Sequence, residues 1–113
     1  MASIDEIRLA DFGEPYPSEP ASLRPALVLG PPDIFGSDFP IAIVAPLTTT
    51  HRGLDLHVEV PADARTGLHE TSYVQCELLR SVNANRLVRP LGAIDVDTSW
   101  NVSEIVRTLL NHP

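Results

Sequence analysis
Apolar and polar positions alternate from the start of the chain. Ile4, Ile7, Leu9 and Phe12 are interleaved with Asp5, Glu6, Arg8 and Asp11, which predicts an opening strand with one wet face. Residues 13–23 read as a loop, with prolines at 15, 17 and 20; each fixes φ and removes a backbone donor. Pro25–Leu29 (PALVL) is a short, largely buried strand. The turn-rich GPPDIFGSDFP after it holds one helical turn around Asp33–Phe35. Ile41–Leu47 (IAIVAPL) is the most apolar run and the candidate central strand, with Pro46 expected to end its regular pairing.

The second half repeats the alternation. Leu54, Leu56, Val58 and Val60 alternate with Asp55, His57 and Glu59, a half-buried strand, and Thr71–Glu77 reads as another. Asn83–Arg86 predicts a short helical turn and Leu91–Ile94 a final short strand. The period then changes. Val102, Ile105, Val106, Leu109 and Leu110 fall at i, i+3, i+4, i+7 and i+8, one apolar helical face, with Asp97 or Thr98 as its cap. Short strands at this spacing, closed by one helix, predict a mainly β fold: a small barrel with a C-terminal α-helix packed on it.

Composition narrows the class. The 113 residues fit a single domain over 1–113, and no apolar run approaches the ~20 residues that span a bilayer. The acidic start, MASIDEIRLADF, is expected to be mature protein rather than a secretory leader. Cys76 is the only cysteine, so no intrachain disulfide forms and a cytoplasmic setting is the simplest expectation. Fifteen acids face eight bases, for a formal net charge of −7. That field repels polyanions at long range, so a nucleic-acid partner would need a local basic patch. Every base is arginine, for which genomic codon bias is the plainest reason; each is nonetheless a planar fork suited to phosphate or carboxylate.

Three blocks then stand together. In DFGEPYPSEPASLRPALVL, the residues Asp11, Phe12, Ser18, Glu19, Arg24, Pro25, Ala26 and Val28 resemble, without a gap, the N-terminal signature of the MazF/PemK/Kid toxins of toxin–antitoxin modules. VAPLTT at Val44–Thr49 is similar to their second block, and ELLRSV at Glu77–Val82, followed by Arg86, Leu87, Leu91 and Gly92, to their third. The blocks keep the family's order and cover nearly the whole chain. The resemblance implies an SH3-like barrel of the CcdB/PemK type and a homodimer. It also implies sequence-specific, metal-independent cleavage of single-stranded RNA, with no cofactor, leaving 2′,3′-cyclic phosphate and 5′-hydroxyl ends. It implies a cognate MazE-like antitoxin too, whose C-terminal acidic segment lies extended in the RNA groove.

RNA transesterification needs the 2′-hydroxyl proton removed, the phosphorane charge stabilised and the 5′-oxygen protonated. The resemblance carries the catalytic arginine onto Arg24, where a guanidinium can hold two phosphate oxygens; otherwise it is a surface arginine at a strand start. It carries the family threonine onto Thr48 and the loop acid onto Glu19, which orients the arginine, moves a proton or is simply solvated. Glu77 stands where some relatives place an aspartate, with an ion pair to Arg80 as the rival role. Ser18, Thr49, His51, Arg52, Arg80 and Arg86 are the candidate RNA contacts; Thr49 alternatively only closes a turn, and His51 is alternatively a wet loop residue. His57, His69 and His112 have no metal-ligand spacing, so no metal site is expected, and Cys76 reads as a small buried hydrophobe.

Pro17 replaces the family's loop glycine and Pro20 the glutamine after its loop acid, so the loop is stiffer than in relatives. Two other readings stay open on this fold. One is a gyrase poison like CcdB, although LLNHP lacks the aromatic ending of those toxins. The other is a non-catalytic module that keeps only antitoxin capture.

Overall fold
The computed structural model describes residues 2–14, 22–36 and 38–112. Seven strands form one antiparallel sheet: β1 (Glu6–Asp11), β2 (Leu23–Gly30), β3 (Ile41–Thr48), β4 (His57–Val60), β5 (Ser72–Gln75), β6 (Arg80–Asn83) and β7 (Leu87–Ala93). The helix α1 (Val96–Leu109) follows them. Across the sheet the order is β4-β5-β3-β2-β1-β7, and β6 also pairs with β3. The result is a small, barrel-like β layer whose ring of hydrogen bonds stays open between β4 and β7.

Alternation sorts the side chains onto two faces, because directly paired residues share a face and neighbours along a strand do not. One face carries Ile7, Leu27, Ala45, Leu47, Val58, Val60 and Val74, all buried. The helix covers this face through Val102, with Ile105 and Val106 packed against the same cluster. Leu109 and Leu110 continue the helical stripe but are 39% and 55% exposed, because the stripe runs past the end of the core. Asp5 fixes the helix to the sheet: its Oδ1 accepts from Ser99 Oγ at 2.8 Å, and its carbonyl accepts from the Ile94 amide at 3.0 Å.

The other face has only small or short residues at its centre: Ala10, Ala26, Val28, Ala42, Val44 and Val82, with Phe12 and Leu87. Among the described residues no helix lies over it. These residues are themselves buried, and the polar side chains flanking them on this face carry the site.

Several expectations meet corrections here. Pro46 does not end the central strand, since it still pairs with Ala26 on β2. It falls where β3 changes partner on its other edge, after Val44 pairs with Arg80 of β6 and before Leu47 pairs with Val74 of β5. A missing donor is tolerated in such a gap. Strand β4 begins at His57 rather than Leu54; Leu54 and Leu56 are exposed, with no partner strand beside them. Thr71–Glu77 ends early, because Cys76–Leu78 turns as one 3₁₀ helix. Arg80–Asn83 is a strand absent from the pattern reading, and the last strand is longer than Leu91–Ile94. The helix is capped by Asp95, whose carboxylate accepts from the Thr98 amide at 2.8 Å, and not by Asp97 or Thr98. The 3₁₀ turns at Asp33–Phe35 and Ala84–Arg86 stand as expected.

Candidate functional site
β1 and β2 form a hairpin whose neck is tied by the Phe12 amide to the Ser22 carbonyl at 3.0 Å and the Ser22 amide to the Gly13 carbonyl at 2.8 Å. Arg86 braces this neck, its guanidinium donating to the Asp11 carbonyl at 3.1 Å. The proline loop springs from the neck; Ser18 and Glu19, both expected at the site, lie outside the described residues. Arg24 follows at once on β2, paired with Ala10 of β1 and half-buried. The pairing Ala26–Pro46, Leu27–Ala45 and Val28–Val44 sets the β2–β3 register. Arg24 and Thr48, the last residue of β3, each lie two residues beyond the Ala26–Pro46 pair and so share its face.

Thr48 is in turn paired with Tyr73 of β5, and Tyr73 with Glu59 of β4. The pair Ala10 and Arg24, and the run Thr48, Tyr73 and Glu59, therefore line the same face of the sheet, the one opposite the helix. The Thr48 hydroxyl oxygen accepts from the Thr50 amide at 3.2 Å, which turns the chain away from the sheet. Thr49, Thr50, His51 and Arg52 are exposed after it. His51 folds back over Tyr73: the ring centroids are 5.0 Å apart and the planes 20° apart. His51 is thus an exposed loop residue whose ring stacks on Tyr73. Arg80, opposite Val44 on β6, holds its guanidinium carbon 5.9 Å from the centre of the Phe12 ring. That places a second cation on the same face, steadied by an aromatic face.

Glu77 does not pair with Arg80. Its Oε2 lies 2.9 Å from Nε2 of His57, whose side chain is only 3% exposed. A carboxylate can only accept, which puts the proton on Nε2. His57 Nδ1, Glu77 Oε1 and Gln75 Oε1 are buried with no partner. His57 and Gln75 are directly paired across β4 and β5, so this polar cluster sits one step along β5 from Tyr73, on the same face. Cys76 next to it faces the core: burial pushes its thiol up to about 11, and the charge on Glu77 adds to the rise. Among the described residues no group of three or more His, Cys, Asp or Glu is placed to hold a metal ion. Among them, too, no helix is long and apolar enough to cross a membrane.

The structure therefore gathers Arg24, Thr48, Arg80 and His51 on one face and keeps Arg86 at the loop's neck. Sequence reasoning gives Tyr73 and Gln75 no role and weighs His57 only as a metal ligand. SYVQ shows that Tyr73 and Gln75 share a face, but only the β4–β5 and β3–β5 registers show which residues they meet.

Residues 5–110 match the family model described as PemK-like, MazF-like toxin of type II toxin-antitoxin system. Endoribonuclease MazF3 of Mycobacterium tuberculosis (strain CDC 1551 / Oshkosh) is 45% identical over 49 residues, 43% of this chain and 46% of that protein. The chain thus spans about half the length of the curated relatives it matches. The M. tuberculosis toxin MazF-mt6 superposes with a TM-score of 0.77 at 25% identity, covering 96% of this chain and 98% of that one. MazF from Deinococcus radiodurans superposes with a TM-score of 0.83, covering 97% and 96%; at 21% identity that likeness speaks for the fold alone.

Proposed function
This chain belongs to the PemK-like, MazF-like family of type II toxin–antitoxin toxins, and from that premise we propose that it is a sequence-specific endoribonuclease toxin. The observation that carries the reading is that Arg24 and Thr48 stand on the same face of the sheet, the one opposite the helix. The proposed unit is one toxin domain over 1–113, acting in the cytoplasm as a homodimer and restrained by an antitoxin segment in the same groove.

The proposed step is an internal transesterification. The 2′-oxygen of a single-stranded RNA attacks its own phosphorus, the bond from phosphorus to the 5′-oxygen breaks, and a 2′,3′-cyclic phosphate and a 5′-hydroxyl result. One proton leaves the 2′-hydroxyl and one reaches the 5′-oxygen, so no water is consumed. Arg24 supplies paired donors to the crowded phosphorane, where charge develops, and that is where electrostatic stabilisation lowers the barrier most. Thr48 offers a hydroxyl to the 2′-oxygen or to a phosphate oxygen. Proton transfer falls to Glu19 and Glu77, the latter held in place by His57. Ser18, Thr49, His51, Arg52 and Arg80 line the path of the strand, and Arg86 holds the loop at its neck.

The test is cleavage of a single-stranded RNA in the presence of a chelator, with both product ends mapped. Cutting is expected to persist without added metal. Arg24→Ala is expected to lose at least ~10²-fold in kcat, the scale of one lost oxyanion donor, while its melting temperature stays close to that of the parent. Undiminished cutting by that variant removes Arg24 from the chemistry.

A further inference from the structure
The Tyr73–His51 stack has no part in the chemistry just described, yet it stands next to it. Tyr73 is the direct cross-strand partner of Thr48, one strand spacing from the residue proposed to touch the reacting oxygens. His51 lies over the Tyr73 ring at 5.0 Å and 20°. Tyr73 is half-buried and His51 is exposed, so the stack lies at the surface with the imidazole as its more accessible ring.

Charge says what belongs there. On the same face as Thr48, toward β1, stands Arg24, which suits a phosphate. On the other side, past Tyr73, stands the exposed carboxylate of Glu59, which repels one. A nucleotide laid across this face therefore keeps its phosphate over Arg24 and Thr48 and turns its uncharged part toward Tyr73. A base hangs close to its own phosphate, and a flat ring laid in an offset stack on an exposed ring gains a favourable aromatic contact.

We propose that Tyr73, through His51 stacked on it, is the platform for the nucleobase next to the scissile phosphodiester. The proposal rests on the endoribonuclease reading above and gives that site its base-positioning residues. Tyr73 holds the imidazole at a fixed height and angle, and His51 presents the ring on which the base lies. Stacking accepts any base, since every base has a π face. The platform therefore fixes where a base must be, and hydrogen bonds elsewhere in the groove choose which one.

The experiment uses the full chain and an oligoribonucleotide containing a cleavage site mapped beforehand on long RNA. Single abasic ribonucleotides replace each position in turn, and KM and kcat are measured for the parent, Tyr73→Leu and His51→Ala. Both variants are expected to raise KM about 5- to 100-fold, the range measured for one lost base stack, with a smaller change in kcat. The abasic substitution at one of the two nucleotides flanking the cut is expected to raise KM similarly in the parent and to cost almost nothing more in either variant. Tyr73→Phe and His51→Phe, which keep both rings, are expected to retain the parental KM. His51 is an exposed loop residue, so its variant answers the question even where Tyr73→Leu weakens the sheet. Additive losses at both flanking positions, or parental KM in both variants, overturn the platform while leaving the nuclease intact. A parent protein that cuts no RNA overturns the nuclease reading and the platform with it.

Discussion
At the scale of single residues, the polar cluster under β4 and β5 makes two demands that a substitution can separate. Glu77 satisfies the one ring nitrogen of His57 that has a partner, and His57 is nearly inaccessible to water. Glu77→Leu strands that nitrogen and is expected to cost about 1–3 kcal/mol, the desolvation of an unpaired buried group, measured as a drop in the urea midpoint. Glu77→Gln still offers an acceptor and is expected to keep most of the stability. Activity lost in Glu77→Gln with stability retained would assign the carboxylate to proton transfer; activity retained would leave it a purely positioning role. Cys76 gives a separate signature in alkali. Burial, and after it the charge on Glu77, push its thiol from an ordinary 9.0 up to about 11 in the folded chain. Between those values the folded state holds a proton that the unfolded state has released. Stability therefore falls as pH rises through that window and is unaffected by this group below it. Cys76→Ala is expected to show a shallower alkaline decline than the parent, read from urea midpoints on either side of pH 9. Identical declines would mean that the thiol is not shielded as its position implies.

At the scale of elements, the helix shows how near a pattern reading comes and where it stops. The stripe from Val102 to Leu110 located α1 and its buried face, because a helical period is a local property of the sequence. The cap was misplaced by two residues: Asp95 and Asp97 are chemically alike, and only the backbone turn after Ile94 decides which carboxylate reaches the free amide of Thr98. The Thr98 side chain, and after it that amide bond, hold the Asp95 carboxyl below its ordinary value. A depressed acid stabilises the fold above its unfolded pKa, near 3.9, and the stabilisation is lost as pH falls through the lower folded value. Asp95→Ala is expected to lower the melting temperature at neutral pH. Asp95→Asn keeps the capping acceptor, so it should melt near the parent at neutral pH while losing part of the acid-side decline. An Asp97→Ala variant that melts lower than Asp95→Ala would contradict the assignment. The strands were legible for a similar reason, as alternation is local, but their partners were not. Pro46 reads as a strand end in isolation and is harmless only because β3 exchanges β6 for β5 around it. Arg24 and Thr48 entered through the resemblance of short blocks, whereas Tyr73 is visible only once three registers are known.

At the scale of the whole molecule, a net charge of −7 must coexist with a polyanionic substrate. The open face resolves this with few cations. Arg24 and Arg80 stand on it, Arg52 is exposed beside it, and Arg8 shares it but is hydrogen-bonded to Glu6 at 3.3 Å. Glu59 on the same face works against them. Counterion release from a single strand lowers binding by about 0.7 log units per log unit of salt for each phosphate neutralised. Two or three effective arginines therefore predict a slope of about −1.4 to −2, well short of the ~−4 that six contacts would give. The measurement uses an oligonucleotide carrying a 2′-deoxy sugar at the scissile position, which binds but has no nucleophile, titrated from roughly 50 to 200 mM salt. Arg80→Gln is expected to flatten the slope by about 0.7 and to weaken all sequences alike, since a phosphate contact carries no base information. A parental slope near −4 would mean that the groove draws cations from beyond this face. The homodimer proposed above would then be the source to test, by asking whether the slope changes as the protein is diluted toward monomer.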